Sequence, residues 1–172
     1  MRSLSLPSGV LSIQLSQDQD RLFDQLLHVG MRQNPKRGFL LISRILGKHL
    51  PVRPSLMLES YRRLAEQIPN ANLVTTFIGM AETATALGQG IFEAHEEQNP
   101  GISRYINSTR YPLDFPTLTF EESHSHAPSH YVHLTAENLH HFAKTKRLVL
   151  IDDEITTGQT LLRLACAFQN IA

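Results

Sequence analysis

The 172-residue chain has one cysteine, no charge excess of either sign and no apolar run of membrane length, and each shortage removes a class of protein. A lone cysteine, Cys166, excludes an internal disulfide. Set in the apolar run 161–168, it reads as a small buried hydrophobe in a reducing compartment, so the cytoplasm is the expected location. Sixteen basic residues balance sixteen acidic ones, so no general field draws the chain onto nucleic acid or anionic membrane, and neither is expected as a partner. Any phosphate must therefore be held locally. No window approaches the roughly 18 apolar residues that span a bilayer, and residues 1–14 lack an apolar stretch of signal-peptide length. No Gly-x-Gly-x-x-Gly turn follows any strand candidate, which disfavours a plain dinucleotide-binding domain. Internal repeats, low-complexity tracts and interdomain linkers are also missing, so one domain over residues 1–172 is expected.

What is present alternates between helix and strand. Ser16 and Gln19 form a capping box ahead of Leu22, Phe23, Leu26 and Leu27, which recur on one helical face as far as a stop at Asn34-Pro35. Residues 39–42 read as a short buried strand, followed by a basic, glycine-hinged segment, 43–49. A helix over 55–68 carries Met57, Tyr61, Leu64 and Ile68 on a core-facing stripe. Then come an apolar strand at 73–78, a small-residue turn at 79–83 and a helix to about His95. A strand at 105–109 leads into residues 110–130, which hold three prolines and little periodicity and read as a long loop. A strand at 131–134, a helix capped by Thr135 and the continuous apolar strand 148–151, expected to be buried on both faces, complete the pattern. The economical architecture is α/β, a doubly wound and mainly parallel sheet.

The chemistry concentrates after residue 151, where the apolar strand meets Asp152, Asp153, Glu154, Ile155, Thr156, Thr157, Gly158, Gln159 and Thr160 and then an apolar helix. Such a turn lies at the carboxyl end of a parallel strand and feeds a helix N-terminus, whose unpaired amides favour an anion. Thr156, Thr157 and Thr160 add hydroxyl donors, and Gly158 lets the backbone approach a phosphate closely. The paired carboxylates of Asp152 and Asp153 repel bare phosphate but accept hydrogen bonds from sugar hydroxyls or orient the water shell of Mg²⁺. A sugar phosphate with metal fits this set. The plainer reading is an acidic helix cap serving only the dipole.

This segment resembles the 5-phosphoribosyl 1-diphosphate motif of type I phosphoribosyltransferases, in which four apolar residues precede two acids and a Thr/Gly-rich loop. It departs at Glu154, where the family usually has an apolar residue. The resemblance implies a substrate, 5-phosphoribosyl 1-diphosphate, used with Mg²⁺ and a nitrogenous base acceptor. It places the diphosphate on the turn of Ala81, Glu82 and Thr83, and Arg110 beside it where the second core strand meets the loop; the plainer reading of Arg110 is a surface ion pair. It also makes residues 110–130 the flexible loop that closes over the site. In the orotate enzymes that loop carries a lysine, whereas residues 111–130 here contain no Lys or Arg. Glu121, Glu122, Ser123, His124, Ser125 and His126 stand there instead, so His124 and His126 are the imidazoles available to a departing diphosphate. Two other readings of the histidines stay open: a zinc site of His124, His126, His130 and Glu121, or surface residues without a role, as for His140 and His141.

Upstream, Arg32 to Arg37, residues 43–52, residues 81–88 and Ser108-Thr109-Arg110 are similar to the orotate-phosphoribosyltransferase-like proteins of bacterial tellurium-resistance-type stress operons. That resemblance implies a hood-like part over 1–70 and a core over 71–172; Arg32, Lys36, Arg37, Arg44 and Lys48 read equally as hood or phosphate-reaching residues and as ordinary solvated cations. The family core has about two more strands after the helix that follows the phosphate motif. A sheet lacking them is expected: either the chain is truncated, or N-terminal strands and a partner chain, as in a homodimer, cover the edge. A rival reading is a regulatory binder of phosphoribosyl diphosphate or a nucleotide that performs no chemistry.

Overall fold

The computed structural model describes residues 2–7, 9–15, 20–31, 38–48, 50–69, 72–121 and 129–171. The chain divides into two compact units, Met1–Met57 and Leu58–Ala172.

In the first unit, β1 (Arg2–Leu6) and β2 (Gly9–Ile13) form an antiparallel hairpin that sequence reading missed. Helix α1 (Asp20–Leu26) runs directly into β3 (Leu27–Met31), which pairs antiparallel with β4 (Phe39–Ser43). The single long helix expected to reach Asn34-Pro35 is therefore wrong beyond Leu26. Val29 and Gly30 are poor helix formers, and β4 offers the backbone of β3 a complete ladder. The capping box of Ser16 and Gln19 and the stop at Asn34-Pro35 lie outside the described residues. Strand β4 forms where expected but is not buried: Leu41 is exposed, and its neighbours are half-buried. Arg2 pairs with the Asp24 carboxylate and lies over the Phe23 ring, and that hydrogen bond holds the exposed Asp24 carboxyl below its usual range.

Helix α2 (Pro54–Ala65) leads into the second unit, with proline at its first position, where no amide partner is lost. Its buried residues are Tyr61 and Ala65, one turn apart, while Leu64 is exposed, correcting the expected stripe. The sheet follows from β5 (Thr75–Gly79), α3 (Ala84–Glu96) and β6 (Ser103–Asn107). Next comes a hairpin of β7 (Thr117–Glu121) and β8 (Ser129–His133), then α4 (Ala136–Phe142), β9 (Arg147–Ile151) and α5 (Gln159–Gln169). Three strands lie parallel in the order β6-β5-β9, with Thr75 opposite both Ser103 and Arg147.

Both faces of this sheet are covered. On one, Phe77 packs edge-on against Phe92 of α3 with ring centroids 5.7 Å apart, and lies 5.0 Å from the His95 ring. On the other, Ile78 joins Leu118, Phe120 and Val132 of the hairpin, Phe142 of α4, and Leu164 and Phe168 of α5. Helices and hairpin on opposite faces of parallel strands make the expected doubly wound α/β fold. The strand buried throughout is β5, not β9; β9 is half-buried up to Ile151, having a ladder neighbour on one side only among the described residues. Cys166 is exposed rather than buried, because Leu164 and Phe168, one turn apart, take the inner face of α5. Among the described residues no helix is long and apolar enough to cross a membrane.

Candidate active site

The chain leaves β5 through α3 to reach β6 on one side and later returns as β9 on the other, so the strand order reverses at β5. In open α/β sheets, ligands bind beyond the carboxyl ends of strands at such a switch point. Those ends lie in register here, Gly79 beside Ile151, and the Met80 amide donates to the Ile151 carbonyl at 2.9 Å. The turns after β5 and β9 therefore start side by side, which joins the two predicted segments, residues 81–83 and 152–160.

The turn after β5 is braced from below. Ala81 N–H donates to Ser108 Oγ at 2.8 Å, and Ser108 N–H donates to the Gly79 carbonyl at 3.0 Å. Ala81 is thus engaged within the fold, whereas the Glu82 and Thr83 amides have no partner among the described residues. The peptide bond between Ala81 and Glu82 is cis. The Tyr105 hydroxyl donates to the Thr85 carbonyl at 2.7 Å and lies against Gly79 and Gly88, where no side chain fits. Burial pushes this phenol up to about 12.

The turn after β9 is more open. Asp152 and Asp153 are half-buried, with Asp153 N–H donating to Asp152 Oδ1 at 2.9 Å, and residues 154–157 are exposed. Gly158 caps α5 at φ +73°, a left-handed conformation costly for any residue with a Cβ. Its freedom serves that turn. Gln159 N–H lies 3.4 Å from Thr157 Oγ1, and Thr160 stands in the first turn of α5, where backbone amides lack intrahelical partners.

The stretch after β6 is only partly a loop: residues 110–116 are irregular, 117–121 and 129–130 are strand, and 122–128 lie outside the described residues. Thr109 and Tyr131 exchange main-chain bonds of 2.8 and 2.9 Å, and β7 pairs with β8, Thr117 opposite His133. Leu118, Phe120, His130 and Val132 point into the core. The alternation Leu118/Phe120 against Thr117/Thr119/Glu121 is a legible strand signal that the neighbouring prolines obscured. Arg110 sits half-buried just beyond Thr109, and Arg163 of α5 donates to the Glu121 carbonyl at 3.0 Å. His124 and His126, with the rest of 122–128, lie outside the described residues, as do Arg32, Lys36 and Arg37. His141 is not mere helix surface: it is half-buried, with Nε2 3.3 Å from the Thr75 carbonyl. In the sequence Ser108 stands out only as part of the Ser108-Thr109-Arg110 resemblance, without a role, and His130, expected at the end of a loop or in a zinc site, is a buried residue of β8.

Among the described residues no group of three or more His, Cys, Asp or Glu could hold a metal. Two adjacent, half-buried carboxylates fit Mg²⁺ only as an ion carried largely by ligand and water oxygens, its usual mode with phosphates.

Three solved structures share the fold. They are the adenine phosphoribosyltransferases of Trypanosoma brucei (TM-score 0.60, 17% identity, 99% of this chain and 70% of that one), Rhodothermus marinus (0.58, 14%, 88% and 78%) and Saccharomyces cerevisiae (0.53, 14%, 88% and 80%). The trypanosomal structure holds AMP, pyrophosphate and ribose-5-phosphate. No curated protein matches the chain. These likenesses define the class, a type I phosphoribosyltransferase fold. The family model described as phosphoribosyl transferase matches residues 26–172, and the chain belongs to that family. The reaction of that family is transfer of a phosphoribosyl group.

Proposed function

We propose that the chain binds 5-phosphoribosyl 1-diphosphate across the two turns at the carboxyl ends of β5 and β9 and passes the phosphoribosyl group to a nitrogenous base or nucleotide-like acceptor. The observation that carries this reading is the main-chain bond from Met80 to Ile151, which sets two anion-suited turns side by side. Thr156, Thr157, Gly158, Gln159 and Thr160 hold the 5-phosphate through hydroxyls and the first amides of α5. Asp152 and Asp153 accept hydrogen bonds from the ribose hydroxyls. Glu82 and Thr83 present amides to the diphosphate, with Ala81 anchoring the turn from within. When bound, Mg²⁺ neutralises the diphosphate and so improves it as a leaving group; Asp152 and Asp153 orient its water shell.

In the transfer, the bond from C1 to the diphosphate oxygen breaks as a bond from C1 to the acceptor nitrogen forms, and the acceptor sheds a proton. The protein mainly positions the reactants and stabilises charge. Arg110 and the imidazoles of His124 or His126, assigned by their place in sequence, meet the charge growing on the departing oxygen. Glu154 stands on the same loop as the ribose ligands and is the candidate base for the acceptor proton. Residues 1–70 serve as a hood, a homodimer covers the open edge, and the protein acts in the cytoplasm of a bacterium in a tellurium-resistance-type stress operon.

Calorimetric titration with 5-phosphoribosyl 1-diphosphate, with and without Mg²⁺, tests the site. The wild type is expected to bind saturably, and Asp152→Asn/Asp153→Asn to lose most of that binding. Absence of binding by the wild type overturns the reading; binding without turnover on any base points to the regulatory alternative.

A further inference from the structure

A buried histidine of β8 lies behind the turn at 81–83. His130 sits on β8, about 1% exposed, with its ring stacked on Phe120 at a centroid distance of 4.9 Å and an interplanar angle of 16°. Its Nδ1 is 3.4 Å from Ser108 Oγ, and Ser108, also about 1% exposed, accepts the Ala81 amide at 2.8 Å through that same oxygen. With one lone pair taken by Ala81, the Ser108 hydroxyl proton is free to turn toward Nδ1, which makes Nδ1 the acceptor and leaves the ring proton on Nε2. A continuous chain of polar contacts then runs from the hairpin through β6's end to the turn.

We propose that His130, acting through Ser108, is a positioning residue for the diphosphate subsite: it fixes the Ser108 hydroxyl that holds Ala81, and so sets where the Glu82 and Thr83 amides point. The same chain ties β8, on which the 122–128 connection ends, to the turn that takes the leaving group. This inference rests on the function proposed above for residues 81–83. Burying polar side chains beside the apolar residues Phe120, Leu118 and Val132 costs free energy unless they are hydrogen-bonded, and the contact with Ser108 is one bond that a histidine can make where β8's pattern calls for an aliphatic residue.

The test uses three probes in calorimetric titrations with Mg²⁺: inorganic diphosphate, 5-phosphoribosyl 1-diphosphate and ribose 5-phosphate. His130→Phe keeps the ring stack and removes Nδ1; His130→Asn restores an acceptor near the same position; Ser108→Ala removes the middle link. His130→Phe and Ser108→Ala are expected to weaken diphosphate and 5-phosphoribosyl 1-diphosphate about tenfold, the worth of one hydrogen bond, while ribose 5-phosphate stays within about twofold and His130→Asn recovers most of the loss. An equal loss for all three probes, or no loss for diphosphate, overturns the relay and makes His130 a core residue only. A wild type that binds ribose 5-phosphate but not diphosphate also overturns it while leaving the 152–160 loop intact. A wild type that binds none of the three overturns the proposed function, and the relay with it. Should His130→Phe fail to fold, Ser108→Ala and His130→Asn decide the question.

Discussion

The turns after β5 and β9 leave the sheet side by side yet are held in opposite ways. Residues 80–83 are fixed by bonds from Met80 to Ile151 and from Ala81 to Ser108, and the start of α3 is drawn in by Tyr105 through Thr85. Residues 154–157 stand exposed, on a loop shaped by Asp152's side chain and by the left-handed Gly158. The contrast matches the two tasks proposed for these turns, diphosphate and 5-phosphate binding. Charge grows on a leaving group during the reaction, so its donors must be in place beforehand. A 5-phosphate keeps its charge throughout, and a loop with few buried contacts can be ordered by the ligand itself.

The difference can be broken from either side. The largest effect is expected from Gly88→Ala, whose Cβ would sit 2.9 Å from the Tyr105 ring and hydroxyl and 3.0 Å from Gly79 Cα. Overpacking there should cost about 1–3 kcal/mol in chemical denaturation and weaken diphosphate binding more than ribose 5-phosphate binding. Gly158→Ala, forced into the left-handed region, should cost about 1–2 kcal/mol and show the reverse preference in titrations, with ribose 5-phosphate weakened most. If both variants damage both probes alike, the two turns are not independent subsites.

A smaller, pH-dependent effect sharpens the comparison by acting under the braced turn. His95, packed against Phe77 below it, and His141, at the Thr75 carbonyl, both titrate below their ordinary 6.5, chiefly because burial penalises the charged ring. The nearby charges of Arg147 on His95, and of Arg104, Lys144 and His140 on His141, push the same way; Glu96 and the bond to Thr75 oppose. The unfolded chain therefore binds more protons as pH falls, so stability is full above about pH 6.5 and declines below it. Melting curves between about pH 7.5 and 5.5 should show this fall, and His95→Gln should flatten it.

The phosphate motif was legible because its chemistry is local: acids, hydroxyls and a glycine follow an apolar strand within one stretch of chain. Strand β5, α3 and the Thr135 cap, which accepts the Asn138 amide at 3.2 Å, were legible for the same reason. The strand β3 was not, since Leu26 and Leu27 continue the helical spacing and only pairing with β4 decides otherwise. Nor was β7, whose alternating side chains lie next to prolines, although its partner β8, expected over 131–134, forms at Ser129–His133. Ser108's role depends on a contact 27 residues away in the chain, with Ala81.

The bond between Met80 and Ile151 has a consequence for how such a site can change. The distance between its two turns is the spacing of neighbouring strands, about 4.8 Å, and is set by main-chain atoms. No side-chain substitution alters that ruler. Whatever reaches from one turn to the other must match its length, and variation can act only on what is held above it.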